Sequence, residues 1–316
     1  SSDLNIMLSS PRARMLFAGL NTVILDEIHA VAGTKRGTHL ITAVDRIVPL
    51  AGEFQRIALS ATVKPLETIA AFVGGYRAIG KGEETVYEKR PVSVLASQAE
   101  KRLEVEVQFP EKSDALLQEG TRMPGLMAAV GDVIRKNRST LVFANSRRMC
   151  ERATLLINDA EGELVAYSHH GSLSRELRTV VEQRLKNGEL KAIVATNSLE
   201  LGIDIGALDQ VVLLQTPFSV ASALQRIGRA GHQVGAVSRG MLFPTHERDF
   251  LEAAVMAKAV ADQDIEPCHP VECPLDVLAQ LIVAMASVQE WDLDALFRFV
   301  RTSWPYRELT RRQFGR

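Results

Sequence analysis

The chain has 316 residues, 46% hydrophobic and 24% charged, with a formal net charge of −1. That length suits about two domains, and the even charge balance excludes a bulk basic field. Any nucleic-acid site must therefore be a local groove drawn from the 37 Lys and Arg residues.

The three cysteines, Cys150, Cys268 and Cys273, do not make a disulfide framework and suit a reducing, intracellular setting. "CHPVEC" at 268–273 lacks a second Cys/His pair at zinc spacing. No run of 18 apolar residues suggests a membrane partner. The chain begins without Met inside a helix-like segment, so the expectation is a piece of a longer protein.

In chain order, "NTVILDE" (21–27) and "QRIALSAT" (55–62) read as buried strands. "HLITAVDRIV" (39–48) between them has helical apolar spacing. "KPLETIAAFVGG" (64–75) reads as a helix closed by glycines, and "VSVLA" (92–96) as the last strand of a first lobe.

A second lobe opens at "KRLEVEVQF" (101–109). It alternates helices near 123–136, 146–158 and 174–187 with strands in 139–145, 164–170, 191–196, 210–215 and 240–243. "VASALQRIGRAG" (220–231) holds another helix. Helical patterns at 274–286 and 292–303, and a helix start at Thr310, suit the opening of a winged helix. The expected class is α/β: two RecA-like parallel-sheet lobes, the first incomplete, then the start of a winged-helix domain. The expected boundaries are 1–98, 99–262 and 263–316.

Three constellations carry chemistry. Asp26 and Glu27 close a buried strand, where ligands of parallel sheets bind. Asp26 suits Mg²⁺ held through water, and Glu27 suits orienting or deprotonating an attacking water. His29 is placed to couple that pair to its surroundings. Ser60-Ala61-Thr62 ends the next strand with side chains small enough for close approach. In "ATNSLELGID" and "QRIGRAGH", Thr196 can meet a phosphate oxygen, Gly202 permits close approach, and Asp204 can accept from a sugar hydroxyl. Arg226 and Arg229, three apart, offer two forked cations to a developing phosphate charge.

"DEIH", "SAT", "TLVFANSRR", "ATNSLELGID" and "QRIGRAGH" stand in the order of a superfamily 2 helicase. "HHGSLSRELR", "PLDVLAQLIVA" and "WPYRELTRRQF" resemble the large helicase-related (Lhr) group within it. The resemblance covers nearly the whole chain. It implies an ATP- and Mg²⁺-dependent motor on single-stranded or tailed duplex DNA, with RNA as the other candidate and 3′-to-5′ polarity.

The resemblance makes Asp26 the Mg²⁺ partner, Glu27 the catalytic acid/base, and Ser60 and Thr62 coupling residues. Gln225, Arg226 and Arg229 become a cross-lobe arginine motif, with Arg229 the best finger candidate. Asn145, Arg147, His170 and Thr196 are the nucleic-acid candidates. Many relatives in the wider superfamily end that motif on a second arginine where this chain has His232, a histidine the Lhr group shares. Trp304 could stack a base, but a core position in the winged helix is favoured. The other classes considered are a non-hydrolysing nucleic-acid-binding module and an RNA-directed helicase.

"GYRAIGKG" (75–82) nearly matches a phosphate-binding loop through Gly75, Gly80 and Lys81, but Gly82 replaces the Mg²⁺-binding hydroxyl. It also follows Thr62 and runs into Glu83-Glu84, which repel a triphosphate. The expectation is that the working loop lies before Ser1. The chain alone should then not hydrolyse ATP, and its first lobe should expose apolar surface.

Overall fold

Short aliphatic and β-branched runs become strands wherever a neighbour can complete their backbone hydrogen bonds. The computed structural model describes residues 2–80, 82–96, 102–109, 123–200, 208–231, 237–246 and 249–315. Its strands are β1 Thr22–Leu25, β2 Gln55–Ala58, β3 Tyr76–Ile79, β4 Val86–Lys89, β5 Leu103–Val107, β6 Thr140–Ala144, β7 Ala166–His169, β8 Ala192–Ala195, β9 Gln210–Leu214 and β10 Ser238–Phe243. Contacts divide the chain into one unit of Ser1–Ser97 with Pro267–Arg316, and another of Gln98–Glu266.

The second unit is a six-stranded sheet in the order β5-β10-β9-β6-β8-β7, with every pair parallel. Strand side chains alternate between faces, and both faces are apolar. Leu141, Phe143, Ile193, Val211 and Leu213 pack with the helices Arg175–Lys186, Val220–Ile227 and Asp249–Ala261. Val142, Ala144, Val194, Val212 and Leu214 pack with Met123–Lys136 and Arg147–Glu161. Hydroxyl caps fix three helix starts: Ser146, Ser174 and Ser219 accept from the amides of Met149, Leu177 and Ser222. This is the RecA-like lobe expected from the sequence.

In the first unit, β1 and β2 pair in parallel, with Leu25 beside Ala58. The helix Lys35–Asp45 lies between them in sequence and packs Ile41 and Val44 with Leu25, Ile28 and Phe72. One side of β1 stays uncovered, with Ile24 63% exposed. Helices Leu275–Ala286, Leu293–Val300 and Arg311–Phe314 form the winged-helix segment around Leu278, Leu281, Leu296 and Tyr306. Thr310 and Gln313 make a reciprocal capping box at the last helix.

A buried charge fastens this segment to the first lobe. Asp45, 1% exposed, lies 2.8 Å from the Arg56 guanidinium, and the Ser303 hydroxyl donates to it at 2.6 Å. Arg56 also donates to the Val73 and Gly74 carbonyls, and Arg90 forks onto Glu53 at 2.9 and 3.0 Å. The Tyr76 amide donates to the Thr302 carbonyl at 2.8 Å. A side chain at Gly75 would come within 2.9 Å of that same carbonyl.

Four readings change. Residues 92–96 form no strand: Val92, Val94 and Leu95 are exposed and have no ladder partner among the described residues. Composition makes a strand possible, but only a neighbour completes it. An antiparallel hairpin, β3 with β4, stands nearby instead. "GYRAIGKG" supplies the first strand and turn of that hairpin, and a single turn at Gly82–Glu84 follows, so no helix start faces a phosphate there. The helix Asp249–Ala261 had no sequence assignment. Trp304 is a core residue, yet its partner is Phe72 of the first lobe, edge-on at 5.8 Å, rather than the winged-helix core.

Asp45→Ala should lower the unfolding free energy by about 3 kcal/mol, because it strands buried guanidinium charge. Ser303→Ala should cost about 1 kcal/mol. Denaturant titration of both variants and their double mutant checks this; full additivity would show that the two do not interact.

Candidate nucleotide and nucleic-acid site

Asp26 and Glu27 follow the carboxyl end of β1. Glu27 sits in the left-handed region at φ 51°, unusual for a residue with a side chain. Its amide donates to Asp26 Oδ1 at 2.8 Å, and the next amide, Ile28, donates to the Leu59 carbonyl at 3.1 Å. Strain of this kind persists where surrounding bonds over-determine the backbone, and it points to a functional turn.

His29 joins this turn to the end of β2. The Ala61 amide donates to His29 Nδ1 at 3.0 Å, and Ser60 Oγ lies 3.4 Å from the same nitrogen. That donor fixes the tautomer, because Nδ1 must present a lone pair and Nε2 then carries the proton. Nε2 lies 3.4 Å from Glu27 Oε2, within ion-pair distance of the carboxylate. The structure thus brings together Asp26, Glu27, His29 and Ser60. Thr62 is exposed, two residues before the bridge of Lys64 with Pro267.

Asp26 is exposed and has one oxygen committed to the Glu27 amide. A hard divalent cation that keeps most of its waters fits such a carboxylate. Among the described residues no group of three His, Cys, Asp or Glu could chelate a metal directly. Holding Mg²⁺ through water is the arrangement these residues allow.

In the second unit the carboxyl ends of β6, β7 and β8 carry Asn145, His169-His170 and Thr196. A short turn, Asn197–Leu199, follows Thr196, and Glu200 follows the turn. Glu200 organises both arginines. Its carboxylate accepts from Arg226 Nε at 2.9 Å, and its carbonyl accepts from Arg229 Nε and Nη2 at 3.1 and 2.6 Å. Arg226 is 4% exposed, donates to Asn145 Oδ1 at 3.0 Å, and lies over the Phe143 ring at 5.2 Å.

Asn145 is occupied at both ends, since its Nδ2 donates to the Thr216 carbonyl at 2.8 Å. Arg147 is exposed at the first turn of its helix. His170 is buried, bonded through Nε2 to Glu151 and through Nδ1 to the Ser172 amide. Thr196 is nearly buried, and its amide donates to the His169 carbonyl at 3.2 Å. Gln225 is half-buried on the helix Val220–Ile227. Gly202, Asp204 and His232 lie outside the described residues.

The partners of two residues at the centre of this arrangement carried no sequence signal. Glu200 is 26 positions from Arg226, and His169 is 29 from its partner Ser198. His169 is fully buried, and burial, the largest influence, holds its imidazole below the ordinary value despite Glu182 beside it.

Two families match this chain. The helicase conserved C-terminal domain matches residues 125–233, and the winged helix domain of the large helicase-related protein matches residues 258–316. A Lhr helicase and probable uracil glycosylase of Mycolicibacterium smegmatis is 40% identical over 99% of the chain. The chain belongs to the large helicase-related family.

It spans 22% of the length of that Lhr relative. An ATP-dependent helicase Lhr-Core protein 2 of Thermococcus barophilus is 37% identical over 99% of the chain, which spans 36% of that relative. The solved helicase Lhr of Mycobacterium smegmatis, bound to ssDNA and AMP-PNP, superposes with a TM-score of 0.89 at 43% identity. It covers 99% of this Lhr-family chain, which spans 40% of that structure.

The buried His169 sets a pH dependence. Its folded value lies below 6.5, so between 6.5 and that value the unfolded chain takes up a proton that the folded chain excludes. Stability of the second unit should therefore fall as pH drops through that window. His169→Gln should flatten the slope. Unfolding titrations from pH 8 to 5 on both proteins measure it, and equal slopes would rule His169 out as the source.

Proposed function

We propose that this chain forms part of an ATP-dependent helicase or translocase that moves 3′ to 5′ along single-stranded DNA. The observation that carries the reading is the Asp26-Glu27 turn, with its strained Glu27 tied through His29 to Ser60-Ala61. A passive binding module has no use for a carboxylate held in this way. The relative bound to ssDNA and AMP-PNP supports both ligands.

In this reading Glu27 accepts a proton from the attacking water, and His29 holds the carboxylate in line for it. Asp26 would hold Mg²⁺ through water, and the ion would supply neutralisation of phosphate charge. Arg229 donates to the Glu200 carbonyl through Nε and Nη2, and its forked guanidinium suits a developing phosphate charge, so it serves as the finger. Arg226 is enclosed by Glu200, Asn145 and Phe143, which suits it to positioning rather than to phosphate contact. Gln225, Gly202 and Asp204 remain assigned to the nucleotide. Ser60 and Thr62 pass the result of hydrolysis on. Thr196 and Arg147 face the nucleic acid, with Asn145 and His170 acting behind them through the bonds described.

The three-part division at 98/99 and 262/263 belongs to this reading. It is supported by the winged-helix match starting at 258 and the unit boundary after Glu266. The finer claim is that these 316 residues alone do not turn over ATP, since "GYRAIGKG" is a hairpin strand and turn. Glu27-dependent turnover by this chain would overturn it.

In the longer protein, Glu27→Gln should cut ATP turnover by at least about a hundredfold with ATP binding retained. Arg229→Ala should cost roughly a thousandfold in kcat. Steady-state turnover with equilibrium nucleotide binding checks both; unchanged kcat in the Glu27 variant would remove that residue from its role. Duplexes with 3′ or 5′ tails, in DNA and in RNA, decide polarity and sugar.

A further inference from the structure

A fully buried histidine among the aliphatic residues of a sheet calls for an explanation, because an apolar side chain would fill the space without desolvation cost. His169 ends β7. Its Nε2 lies 2.9 Å from Glu182 Oε1 on the helix Arg175–Lys186, and its Nδ1 lies 2.8 Å from Ser198 Oγ. Its carbonyl receives the Thr196 amide and lies 3.0 Å from Ser198 Oγ. In a neutral imidazole Nε2–H donates to Glu182, which leaves Nδ1 an acceptor, and the single Ser198 hydroxyl proton is shared between Nδ1 and the His169 carbonyl. Glu182 thereby sets the tautomer that Ser198 needs.

Ser198 is the middle residue of the turn Asn197–Leu199, and Leu199 is fully buried beside it. Glu200 comes next and receives both arginines, one on its carboxylate and one on its carbonyl. Contacts therefore run from Glu182 through His169 to Ser198, and the backbone of the turn carries the link two residues on to Glu200 and Arg229. Every link lies within the second unit.

We propose that His169, oriented by Glu182, is a positioning residue that fixes the Thr196–Glu200 turn through Ser198 and so sets the direction of Arg229. It touches neither nucleotide nor nucleic acid. The proposal rests on the functional reading of Arg229 given above. Its physical content is that the Glu200 carbonyl can seat Arg229 correctly only while Ser198 is held. Misplacing a catalytic cation by about 1 Å can cost up to about a hundredfold in rate.

The test uses the longer protein with single-stranded DNA and compares Ser198→Ala, Ser198→Thr, Glu182→Gln, Arg229→Ala and the Ser198→Ala/Arg229→Ala double variant. Ser198→Ala should lower kcat by about tenfold to a hundredfold, with the KM for ATP and the Tm little changed. Ser198→Thr, which keeps the hydroxyl, should restore most of the rate, and Glu182→Gln should fall between. The double variant should be no slower than Arg229→Ala, because the turn acts through that side chain.

Multiplying losses in the double variant would sink the inference, as would a threonine as slow as the alanine or a drop in Tm with kcat intact. Those outcomes leave the helicase reading standing if Glu27→Gln still abolishes turnover. Turnover indifferent to Glu27 and to Arg229 would overturn both.

Discussion

Both faces of the six-stranded parallel sheet are covered, and this constraint organises the second unit. Strands such as β6, β8 and β9 are buried throughout, so polar chemistry cannot sit on their faces. It gathers where the strands end. Asn145, His169, His170 and Thr196 all stand at or just past carboxyl ends, and the parallel register of β7, β8 and β6 brings those ends to one edge. The first unit repeats the rule with two strands: Asp26 follows β1, and Ser60 lies two residues past β2.

Charges inside these layers are compensated locally. Asp45 is matched by Arg56 and Ser303, and Arg226 by Glu200 and Asn145. Such pairs contribute little net stability against apolar replacements, but removing one partner is costly. Their value lies in direction. Asp45 specifies how Ser303 meets the first lobe, and Glu200 specifies where two guanidinium planes point. The left-handed Glu27 is the backbone counterpart of the same idea, a residue held off its preferred conformation by the bonds on either side.

Much of this was legible in the sequence. Apolar runs marked seven strands that proved parallel, and helical spacing marked the helices near 147–158 and 175–186. The acidic pair, the small triplet and the arginine pair were found because each is a compact motif. The reading failed where a partner decided the outcome. Residues 92–96 have strand composition without a neighbour, and the hairpin of β3 with β4 went unassigned. Asn145 and His170 looked available to a ligand, yet protein groups already hold their polar atoms.

The sequence by itself determined which chemistry is present: carboxylates after a buried strand, small residues after the next, two arginines at helical spacing, and the family those motifs name. Periodicity and capping are local, so they survive in a linear reading. Tertiary structure alone decided what each group faces. Glu200 meets Arg226 and Arg229, His169 links Glu182 to Ser198, and Trp304 packs on Phe72. These contacts join residues from 13 to more than 200 positions apart, and a buried polar atom takes its partner from whatever the fold brings within 3 Å.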